Sequence, residues 1–522
     1  MTIRAIRAGC AAWLWVGAAC GDDGAQAPPC DDGRCTSTAD GSTTTSESSE
    51  SSTGSAETSS GGGDSTSSGT TVGEDTTSSA GESSTGQDGS SSSGEPVGCG
   101  DGVVELGEEC DDGDGEDGNG CDNDCTESVV VGLSAGHDHT CATLDTGVVR
   151  CWGGNYGGGL GLGNVDVVGD NETPASVGPA GVGVGVTTTS AGDGFTCGLT
   201  VDDAVRCWGR NERGQLGYGN FFDIGDDELP STAGDNSLAV GVIVAIATGA
   251  RHACAAYDDG EVACWGSSDF GELGYGNYDT IGDNELVASA GLVDVPGDVV
   301  ELAAGARHTC ARLSTGAIRC WGYATDGALG YGNPEWIGDN ELPSGVGEVN
   351  VPPADSIVAG GNHTCVLTST GSVWCWGQIA GGGLGYGNNA QIGDDEMPVG
   401  AVMVAEDMLG ESVTQVVAGG NHTCALISGS VVRCWGDGTD GQLGYGNTDV
   451  IGDDETPYSA GDVDVGGPVL QLAAGDSHTC ALMWSGAVRC WGLGIDGRLG
   501  YGNTATIGDD ETPSSAGDVP LF

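Results

Sequence analysis

Short runs of alternating apolar and polar residues recur from about Val129 to the C-terminus, separated by glycine-rich turns. In the last unit the runs VLQLAAG (469–475), HTCALMW (478–484) and AVRCWG (487–492) predict three strands, because alternate side chains of a strand point to opposite faces. A tight glycine-containing turn joins the last two runs and predicts an antiparallel hairpin. The small residues of the first run indicate a strand crowded near a central axis. The GDVDV segment that precedes a unit, as at 461–465, predicts a fourth strand.

This unit recurs seven times. Each copy holds two cysteines separated by nine residues, and successive first cysteines lie 55 to 59 residues apart. Repetition at this period is typical of solenoids and propellers, and seven copies with several short strands each favour a propeller. The sequence ends in AGDVPLF (516–522), the beginning of a further unit. We expect this segment to supply the missing strand of the first blade and to close the ring.

The two cysteines of each unit face each other in a hairpin with a three-residue turn, where cross-strand Cβ atoms are close enough for a disulfide. Each bridge should stabilise the fold by about 2–3 kcal/mol in the chain-entropy account. Zinc bound by Cys and His is the alternative, because six units read His-x-Cys, although the CxxC spacing of structural zinc sites is missing. The predicted pairs are Cys141–Cys151, Cys197–Cys207, Cys254–Cys264, Cys310–Cys320, Cys365–Cys375, Cys424–Cys434 and Cys480–Cys490.

A histidine lies two residues before the first cysteine in six units, and Phe195 takes its place in the second. A position that accepts phenylalanine favours packing or a backbone hydrogen bond over catalysis. A tryptophan follows the second cysteine in every unit, and its indole is predicted to pack toward the neighbouring blade, with carbohydrate stacking as the alternative. The histidines are His139, His252, His308, His363, His422 and His478, and the tryptophans are Trp152, Trp208, Trp265, Trp321, Trp376, Trp435 and Trp491.

The charge composition of the chain argues against some classes of binding partner. The chain has 77 acidic residues, 14 arginines and no lysine, for a formal net charge of −63. Phosphates would be repelled, which argues against nucleic acid and against electrostatic attachment to anionic lipid. Glycine accounts for 100 of the 522 residues without a collagen-like triplet period, so these glycines indicate turns and close backbone approaches.

The N-terminus resembles a bacterial lipoprotein signal. Residues 1–19 combine two arginines with a short apolar run, too short for a membrane-spanning helix, and GAAC at 17–20 resembles a lipobox that would place the lipid on Cys20. Ordinary cleavage after Ala19 is the alternative. In the anchor-proximal segment 20–35 a local Cys30–Cys35 disulfide is predicted, and the Ser/Thr/Gly/acidic segment 36–97 is predicted to be a disordered stalk.

Residues 98–127 form a predicted small module with four cysteines. The stretch CGDGVVELGEECDDGDGEDGNGCDNDC (99–125) resembles the myxobacterial cysteine-rich repeat. Two disulfides would hold so short a segment, but the pairing of its cysteines is left open. Its acidic loop is a candidate calcium site, although it lacks the EF-hand spacing. The cysteines are Cys99, Cys110, Cys121 and Cys125, and the candidate ligands are Asp111, Asp112, Asp114, Asp117, Asn119 and Asp122.

The repeat itself resembles a known family. The segment AGGNHTCALISGSVVRCWGDGTDGQLGYGN (418–447) is similar to the RCC1 repeat, and the resemblance covers seven copies. It implies an all-β, seven-bladed propeller at 128–522 that acts through a face of the disc, as in a chromatin-associated nucleotide exchange factor and a secreted β-lactamase inhibitor of that family. Intracellular members lack the cysteine pairs as a rule, so this departure places the protein outside the cell, where exchange on a small GTPase does not apply.

An acidic loop of the form IGDDEMP (392–398) recurs in every unit. We expect all seven copies on one rim of the disc, where carboxylates either coordinate calcium or accept arginines of a partner. The simpler expectation is that they cap turns and pair with arginines such as Arg150, Arg206, Arg319, Arg433 and Arg489. The candidate calcium ligands are Asp226, Asp227, Glu228, Asp394, Asp395, Glu396, Asp453, Asp454, Glu455, Asp509, Asp510 and Glu511.

No catalytic constellation emerges from the sequence, so we predict a non-enzymatic protein without a cofactor other than calcium. The preferred function is a monomeric, lipid-anchored cell-surface module that binds a protein or glycan. The alternatives are a structural envelope or coat protein, which the uniform units favour, and a polysaccharide lyase or hydrolase that uses the propeller channel. Secretion without an anchor is the alternative location.

Overall fold

Each of the seven repeats folds into an antiparallel sheet of three strands in sequence order, which we call a blade. The computed structural model describes residues 110–522 except 112–114, 116, 124, 380–382, 401–411 and 429. The predicted segments 1–19, 20–35 and 36–97 lie outside the described residues. So do Cys20, Cys30, Cys35, Cys99, Asp112 and Asp114.

The strands of the seven blades share lengths and order. The first strands are β1 (Val130–Ala135), β4 (Val186–Ala191), β7 (Ile243–Thr248), β10 (Val299–Ala304), β13 (Ala354–Ala359), β16 (Val413–Ala418) and β19 (Val469–Ala474). The second strands are β2 (His139–Leu144), β5 (Phe195–Thr200), β8 (His252–Tyr257), β11 (His308–Leu313), β14 (His363–Thr368), β17 (His422–Ile427) and β20 (His478–Met483). The third strands are β3 (Val149–Gly153), β6 (Val205–Gly209), β9 (Val262–Gly266), β12 (Ile318–Gly322), β15 (Val373–Gly377), β18 (Val431–Gly436) and β21 (Val488–Gly492).

The blades close into a ring around the first strands. Each first strand contacts the first strands of both neighbouring blades, and β19 contacts β1. A glycine follows each first strand, and a Cβ atom on any of these glycines would collide with the carbonyl oxygen of the corresponding glycine in the next blade. The prediction of crowded small residues near an axis is therefore confirmed, and so is the all-β, seven-bladed propeller. The glycines are Gly136, Gly192, Gly249, Gly305, Gly360, Gly419 and Gly475.

The prediction of a fourth strand from the GDVDV segment is wrong. In this segment the Val463 N–H donates one hydrogen bond to the Val432 carbonyl of the preceding blade, and the Val465 N–H then donates to the Val463 carbonyl at 3.0 Å. A bond to the residue two positions earlier is a γ-turn, which curls the chain away from the sheet. Beyond the third strand the sheet gains only an isolated bridge, as between Gly436 and Ile451.

The C-terminal segment is also not a strand of the first blade. The Val519 N–H donates to the Val488 carbonyl of the seventh blade, as the other segments of this type do on their own blades. Among backbone hydrogen bonds of the described residues, the segment reaches the first blade through the Pro520 carbonyl, which accepts from the Ala175 N–H. The ring closes instead through contacts between the seventh and first blades that repeat those of the other blades. Closure therefore needs no strand exchange.

Short helical turns lie in the segments that connect the blades. The α-helical turns are α1 (Val287–Ala290), α2 (Pro457–Ala460) and α3 (Pro513–Ala516). The 3-10 turns are Tyr156–Gly158, Pro174–Ser176, Pro230–Thr232, Pro343–Gly345, Pro398–Gly400 and Ile495–Gly497. Over the described part of the chain, every helix is too short or too polar to span a bilayer.

The cysteine-rich module lies beside the first blade. Cys110 and Cys121 form a disulfide, which resolves one pairing that the sequence left open, and Cys125 is also disulfide-bonded. The Gly118 carbonyl accepts a 2.9 Å hydrogen bond from the Arg150 guanidinium of β3. The module therefore contacts the outer strand of the first blade.

Candidate functional site

All seven predicted hairpin pairs are disulfides in the structure. The paired cysteines are buried and their Cα atoms lie 4.0 or 4.1 Å apart, which is the short spacing of non-hydrogen-bonded partners in an antiparallel pair. The turn between the strands has three residues, since the Leu144 N–H donates to the Val148 carbonyl. With every cysteine of these pairs oxidised, the zinc alternative is wrong.

Each buried histidine links its blade to the next. His308 Nε2 lies 2.9 Å from Thr364 Oγ1 of the next blade. The Thr364 hydroxyl also donates to the Ala328 carbonyl, which accepts a second bond from the Trp376 indole N–H. A side chain from one blade, two from the next and a loop carbonyl thus form one network across the interface, which we call a seam.

The same histidine–threonine contact joins six of the seven seams. The pairs are His139–Thr196, His252–Thr309, His308–Thr364, His363–Thr423, His422–Thr479 and His478–Thr140, at 2.8 or 2.9 Å. Burial lowers the pKa of His252 and His363 to about 3 and that of His308 and His422 to about 4, so these rings are neutral. The predicted packing of tryptophan toward a neighbouring blade is confirmed, whereas the threonine partner of histidine was not foreseen.

The seam between the second and third blades differs. Phe195 takes the histidine position and Ala253 takes the threonine position, and both are buried. The Trp265 indole still donates to the loop carbonyl, here of Gln215, at 2.9 Å. Both partners of the polar contact are therefore replaced together, which leaves no buried polar group unpaired at these two positions.

The acidic loops follow the third strands, next to the seams. The backbone of each loop packs on a glycine of the preceding blade; a Cβ on Gly214, for example, would collide with the backbone at Gly282 and Asp283. In the four loops that read Asp-Asp-Glu, the DDE loops, one oxygen of each carboxylate lies within 4.8 Å of the others. These are the loops Asp226–Asp227–Glu228, Asp394–Asp395–Glu396, Asp453–Asp454–Glu455 and Asp509–Asp510–Glu511.

The other three loops read Asp-Asn-Glu (DNE loops) and carry one carboxylate fewer. The Asn171 amide donates to the Asp170 carboxylate at 2.8 Å, and Asn284 and Asn340 make the same contact. In the DDE loops the glutamate must lie beside two carboxylates. Desolvation, a hydrogen bond to the middle aspartate and repulsion by both aspartates raise the pKa of Glu228 to about 7. Such a set of oxygens suits calcium.

The expected pairing of the acidic loops with the β-strand arginines is wrong. Arg206, Arg433 and Arg489 donate instead to Asp235, Asp462 and Asp518, at 2.6 to 2.8 Å, in the segments that lead to the next blade. Arg319 lies 3.9 Å from Glu348 of such a segment, and Arg150 binds carbonyl oxygens. Each arginine reaches the connection after its own blade because that segment runs along the outer strand.

Some carboxylate oxygens of the predicted calcium loop in the cysteine-rich module accept hydrogen bonds from N–H and hydroxyl groups of the module itself. Asp122 Oδ1 accepts from the Gly118 N–H at 2.8 Å and from the Ser128 hydroxyl at 2.7 Å, and Asp117 Oδ1 accepts from the Asn123 N–H. Asp111 and Asn119 also have interactions of their own. These contacts stabilise the loop without an ion.

One face of the disc carries the sequence differences among the repeats. This loop face consists of the ring glycines and of the loops after the third strands, which lie side by side; the Gly154 N–H, for instance, donates to the Asp138 carbonyl. Close polar contacts run across it: His137 lies 3.5 Å from Asp476 and 4.0 Å from Asp193, and Asp193 pairs with Arg210 at 3.9 Å. Because these tip residues differ from repeat to repeat, the repeat pattern gave no signal for them.

The chain matches a described family along most of its length. Residues 95–459 match the RCC1-like domain, and residues 469–498 match the regulator of chromosome condensation (RCC1) repeat. The ultraviolet-B receptor UVR8 of Arabidopsis thaliana is 34% identical over 322 residues, which cover 61% of this chain and 68% of the receptor. The mitochondrial RCC1 domain-containing protein RUG3 of the same plant is 31% identical over 59% of this chain and 65% of that protein.

Other similarities are more limited. The E3 ubiquitin-protein ligase HERC2 of Homo sapiens is 28% identical over 71% of this chain, but the match covers 7% of the ligase. Human WBSCR16 superposes with a TM-score of 0.54 at 21% identity, over 68% of this chain and 87% of that chain. Yeast RCC1 (Prp20), solved bound to Kap60, superposes with a TM-score of 0.53 at 18% identity, over 75% and 85%. At these identities the two structures support the fold alone.

Proposed function

We propose that this chain, which belongs to the RCC1-like propeller family, is an exported binding module that recognises a protein through its loop face and is held at the cell surface by a lipid on Cys20. The family match supports the propeller, and a binding role is proposed because propellers of this family often mediate protein binding. The cell-surface location and the ligand are our own inferences.

The observation that carries this proposal is the contrast between a repeated interior and a varied loop face. The disulfide and the tryptophan recur in all seven blades, and the histidine–threonine contact recurs at six seams. The position after the glycine that ends each third strand instead differs in every blade and keeps no common residue type: it is Gly154, Arg210, Ser267, Tyr323, Gln378, Asp437 and Leu493. A rigid frame with differing loops is the usual arrangement of a recognition surface.

Proteins of the same fold give a precedent for a protein ligand. One solved structure is of yeast RCC1 bound to Kap60, and another reports the binding of Prp20p to Gsp1p and histones. These partners belong to those proteins. The ligase activity named for HERC2 belongs to a protein of which this chain matches only a small part, so it supports no enzyme here.

Export is supported by the buried disulfides. Bridges in every blade are typical of proteins that fold in an oxidising compartment, since the thiols of cytosolic proteins are kept reduced. The stapled blades and the signal-like N-terminus agree on this location.

Capture from native extracts tests the binding role. The full chain, immobilised in its oxidised form, should retain the same protein from envelope, matrix or prey-cell extracts in repeated trials. A sample reduced and alkylated under denaturing conditions is the matched control and should retain none of it. Recovery of nothing would contradict the proposal, and recovery of only further copies of the chain would favour a structural coat.

A further inference from the structure

The arginines of the described chain fall into two groups. Seven have a guanidinium that donates hydrogen bonds within the frame, either to connecting segments, to a neighbouring strand or to a loop carbonyl. These framework arginines are Arg150, Arg206, Arg312, Arg319, Arg433, Arg489 and Arg498. In a chain this acidic, such arginines neutralise acids of the frame or bind its carbonyl groups.

The other four described arginines share one place. Arg210, Arg213, Arg251 and Arg307 all lie on the loop face of the second to fourth blades, and we call them the arginine patch. The side chains of Arg210, Arg213 and Arg251 are 37%, 40% and 44% exposed. Among the described residues none of the four guanidiniums makes a hydrogen bond, and their ion pairs span 3.4 to 3.9 Å. These loose pairs with Asp193, Glu212 and Asp269 leave the N–H donors of the patch without hydrogen bonds to the described residues, but a ligand carboxylate must compete with those three acids.

Aromatic side chains stand beside the patch. The rings of Phe270, Tyr323 and Trp336 pack together with centroids 5.3 to 5.6 Å apart. The Arg307 guanidinium lies 5.0 Å from the centroid of Phe270 and 5.8 Å from that of Tyr323. This cation–π contact favours one position of the guanidinium over the rings, and Arg307 is exposed there.

We propose that the arginine patch binds a carboxylate-bearing polypeptide segment of the partner, an inference that rests on the proposed function and locates its site. Planar guanidiniums bind carboxylates through paired hydrogen bonds. The same face carries Asp437, Asp440, Asp476 and Asp496 on the sixth and seventh blades. An acidic segment is repelled there. At the second to fourth blades the four arginines offset Asp193, Glu212 and Asp269, so the repulsion is weaker and the segment is directed to the patch.

An anionic glycan fits this patch less well. Sugar rings stack on open aromatic faces, whereas here Arg307 covers faces of Phe270 and Tyr323, and Phe270 meets its two neighbours at 78° and 69°. Edge-to-face packing leaves little flat surface in the cluster. A peptide needs only the guanidinium edges and a small apolar contact.

The probe for this inference is a fluorescent copolymer of glutamate and tyrosine, bound to the full chain at physiological ionic strength, where repulsion by the distant acids of a chain of net charge −63 is screened. A glutamine–tyrosine copolymer and polygalacturonate serve as comparison probes, because a cationic polymer would bind the exposed acids of any part of the chain. The glutamate copolymer should bind most tightly of the three. Tighter binding of either comparison probe, or no binding of the glutamate copolymer, would overturn the inference.

Variants locate the site. The triple variant Arg210→Gln, Arg251→Gln, Arg307→Gln should bind the glutamate copolymer about tenfold or more weaker. The control variant Asp440→Asn, Asp476→Asn changes the acidic half of the same face and should bind at least as tightly as the native chain. The single variant Arg251→Gln, whose side chain is exposed, gives a smaller loss without risk to folding. Equal binding by the native chain and the triple variant would place the site elsewhere.

Failure of the inference differs from failure of the proposed function. If native chain and triple variant capture the same protein from extracts equally well, the binding role stands and the patch is not its site. If neither captures any protein, the binding role itself fails.

Discussion

The seam between the fourth and fifth blades joins His308 to Thr364, whereas the seam between the second and third blades places Phe195 and Ala253 at the equivalent positions. Both pairs are buried, and in both of these seams the tryptophan, Trp376 or Trp265, donates to a loop carbonyl. The difference teaches that the ring requires matched partners at this position more than it requires polarity. A buried group is costly only when its partner is missing.

Lowering the pH should have the largest effect, because it destabilises the polar seams, which contain a buried histidine, and not the apolar seam. The pKa of His252, His308, His363 and His422 lies at about 3 to 4 in the folded chain, below the ordinary value of 6.5, because burial disfavours the charged ring. Unfolded chains then bind more protons below pH 6.5. The stabilisation is present above that pH and is lost toward pH 4, by about 1.4 kcal/mol per histidine and pH unit.

The measurement is the unfolding midpoint in denaturant from pH 7 to pH 4. Because the pKa of glutamates such as Glu228 and Glu272 is raised to about 7 and acts in the opposite direction, the test is a difference between two proteins. Below pH 6.5 the native chain should lose more stability, relative to pH 7, than the double variant His308→Phe, Thr364→Ala. An unchanged slope in that variant would show that His308 does not titrate on unfolding.

Introducing a histidine into the apolar seam should lower the free energy of unfolding almost as much as removing one partner from a polar seam. Phe195→His leaves a buried ring nitrogen opposite Ala253, and we expect a loss of about 1–3 kcal/mol in the free energy of unfolding. Adding Ala253→Thr should restore part of this loss, because the hydroxyl can then bind both the ring and the Gln215 carbonyl. A thermodynamic cycle of the two single variants and the double variant gives the coupling. Simple additivity would contradict the account of the seams.

The reverse exchange makes the comparison symmetrical. Thr364→Ala alone leaves His308 without its partner and should destabilise by about 1–3 kcal/mol. The pair His308→Phe, Thr364→Ala copies the natural apolar seam and should cost clearly less than Thr364→Ala alone. Chemical denaturation of Thr364→Ala, His308→Phe and the pair decides this. A pair that costs as much as the sum of its singles would show that Phe195 depends on other features of its blade.

Calcium should distinguish the DDE loops from the DNE loops with a smaller effect. We propose that calcium binds the clustered carboxylates of the DDE loops, since their oxygens lie within 4.8 Å of one another. Millimolar calcium should raise the melting temperature of the native chain. The variant Asp227→Asn, Asp395→Asn, Asp454→Asn, Asp510→Asn turns all four into DNE loops and should lose the rise. A rise that persists in this variant would assign calcium to another site, and no rise in the native chain would remove it.

Substitutions in two hairpin turns should have the smallest effect on stability, and this effect should not depend on the type of seam beside the blade. The hairpin position filled by Gly147 in the first blade is Asp203 in the second and Ser430 in the sixth, with φ of 61° and 67°. Because a side chain disfavours this left-handed conformation, Asp203→Gly and Ser430→Gly should each stabilise by about 1 kcal/mol. Melting curves should show similar gains although Asp203 belongs to a blade of the apolar seam and Ser430 does not. A gain in one variant only would show that the seam affects the hairpin.

Much of the frame could be predicted because it depends on spacing within one repeat. The cysteine pair, the three-residue turn and the orientation of Trp152 follow from alternation along two neighbouring strands. The histidine–threonine contact could not be predicted in this way. It joins residues 56 to 60 positions apart in most seams and 338 apart between Thr140 and His478, so it exists only once the ring is closed.

The incorrect predictions share a physical cause. The GDVDV segment has the alternation of a strand, but the γ-turn at Val463 ends its pairing after one bond. Arg433 was expected to bind an acidic loop, yet Asp462 of the connecting segment lies 2.8 Å away. In both cases the residue types suggested the kind of interaction, a strand pairing or an ion pair. The path of the segment that connects two blades then determined which groups lie close enough to interact.

The most direct test of the exported, disulfide-stapled binding module is the intact mass of the protein purified from its native membrane, with thiols alkylated before and after reduction. The account predicts a lipid on Cys20, no alkylation before reduction, and alkylation of every later cysteine afterwards. Free thiols in the blades together with an intact N-terminus would contradict it, because the protein would then reside in a reducing compartment without an anchor.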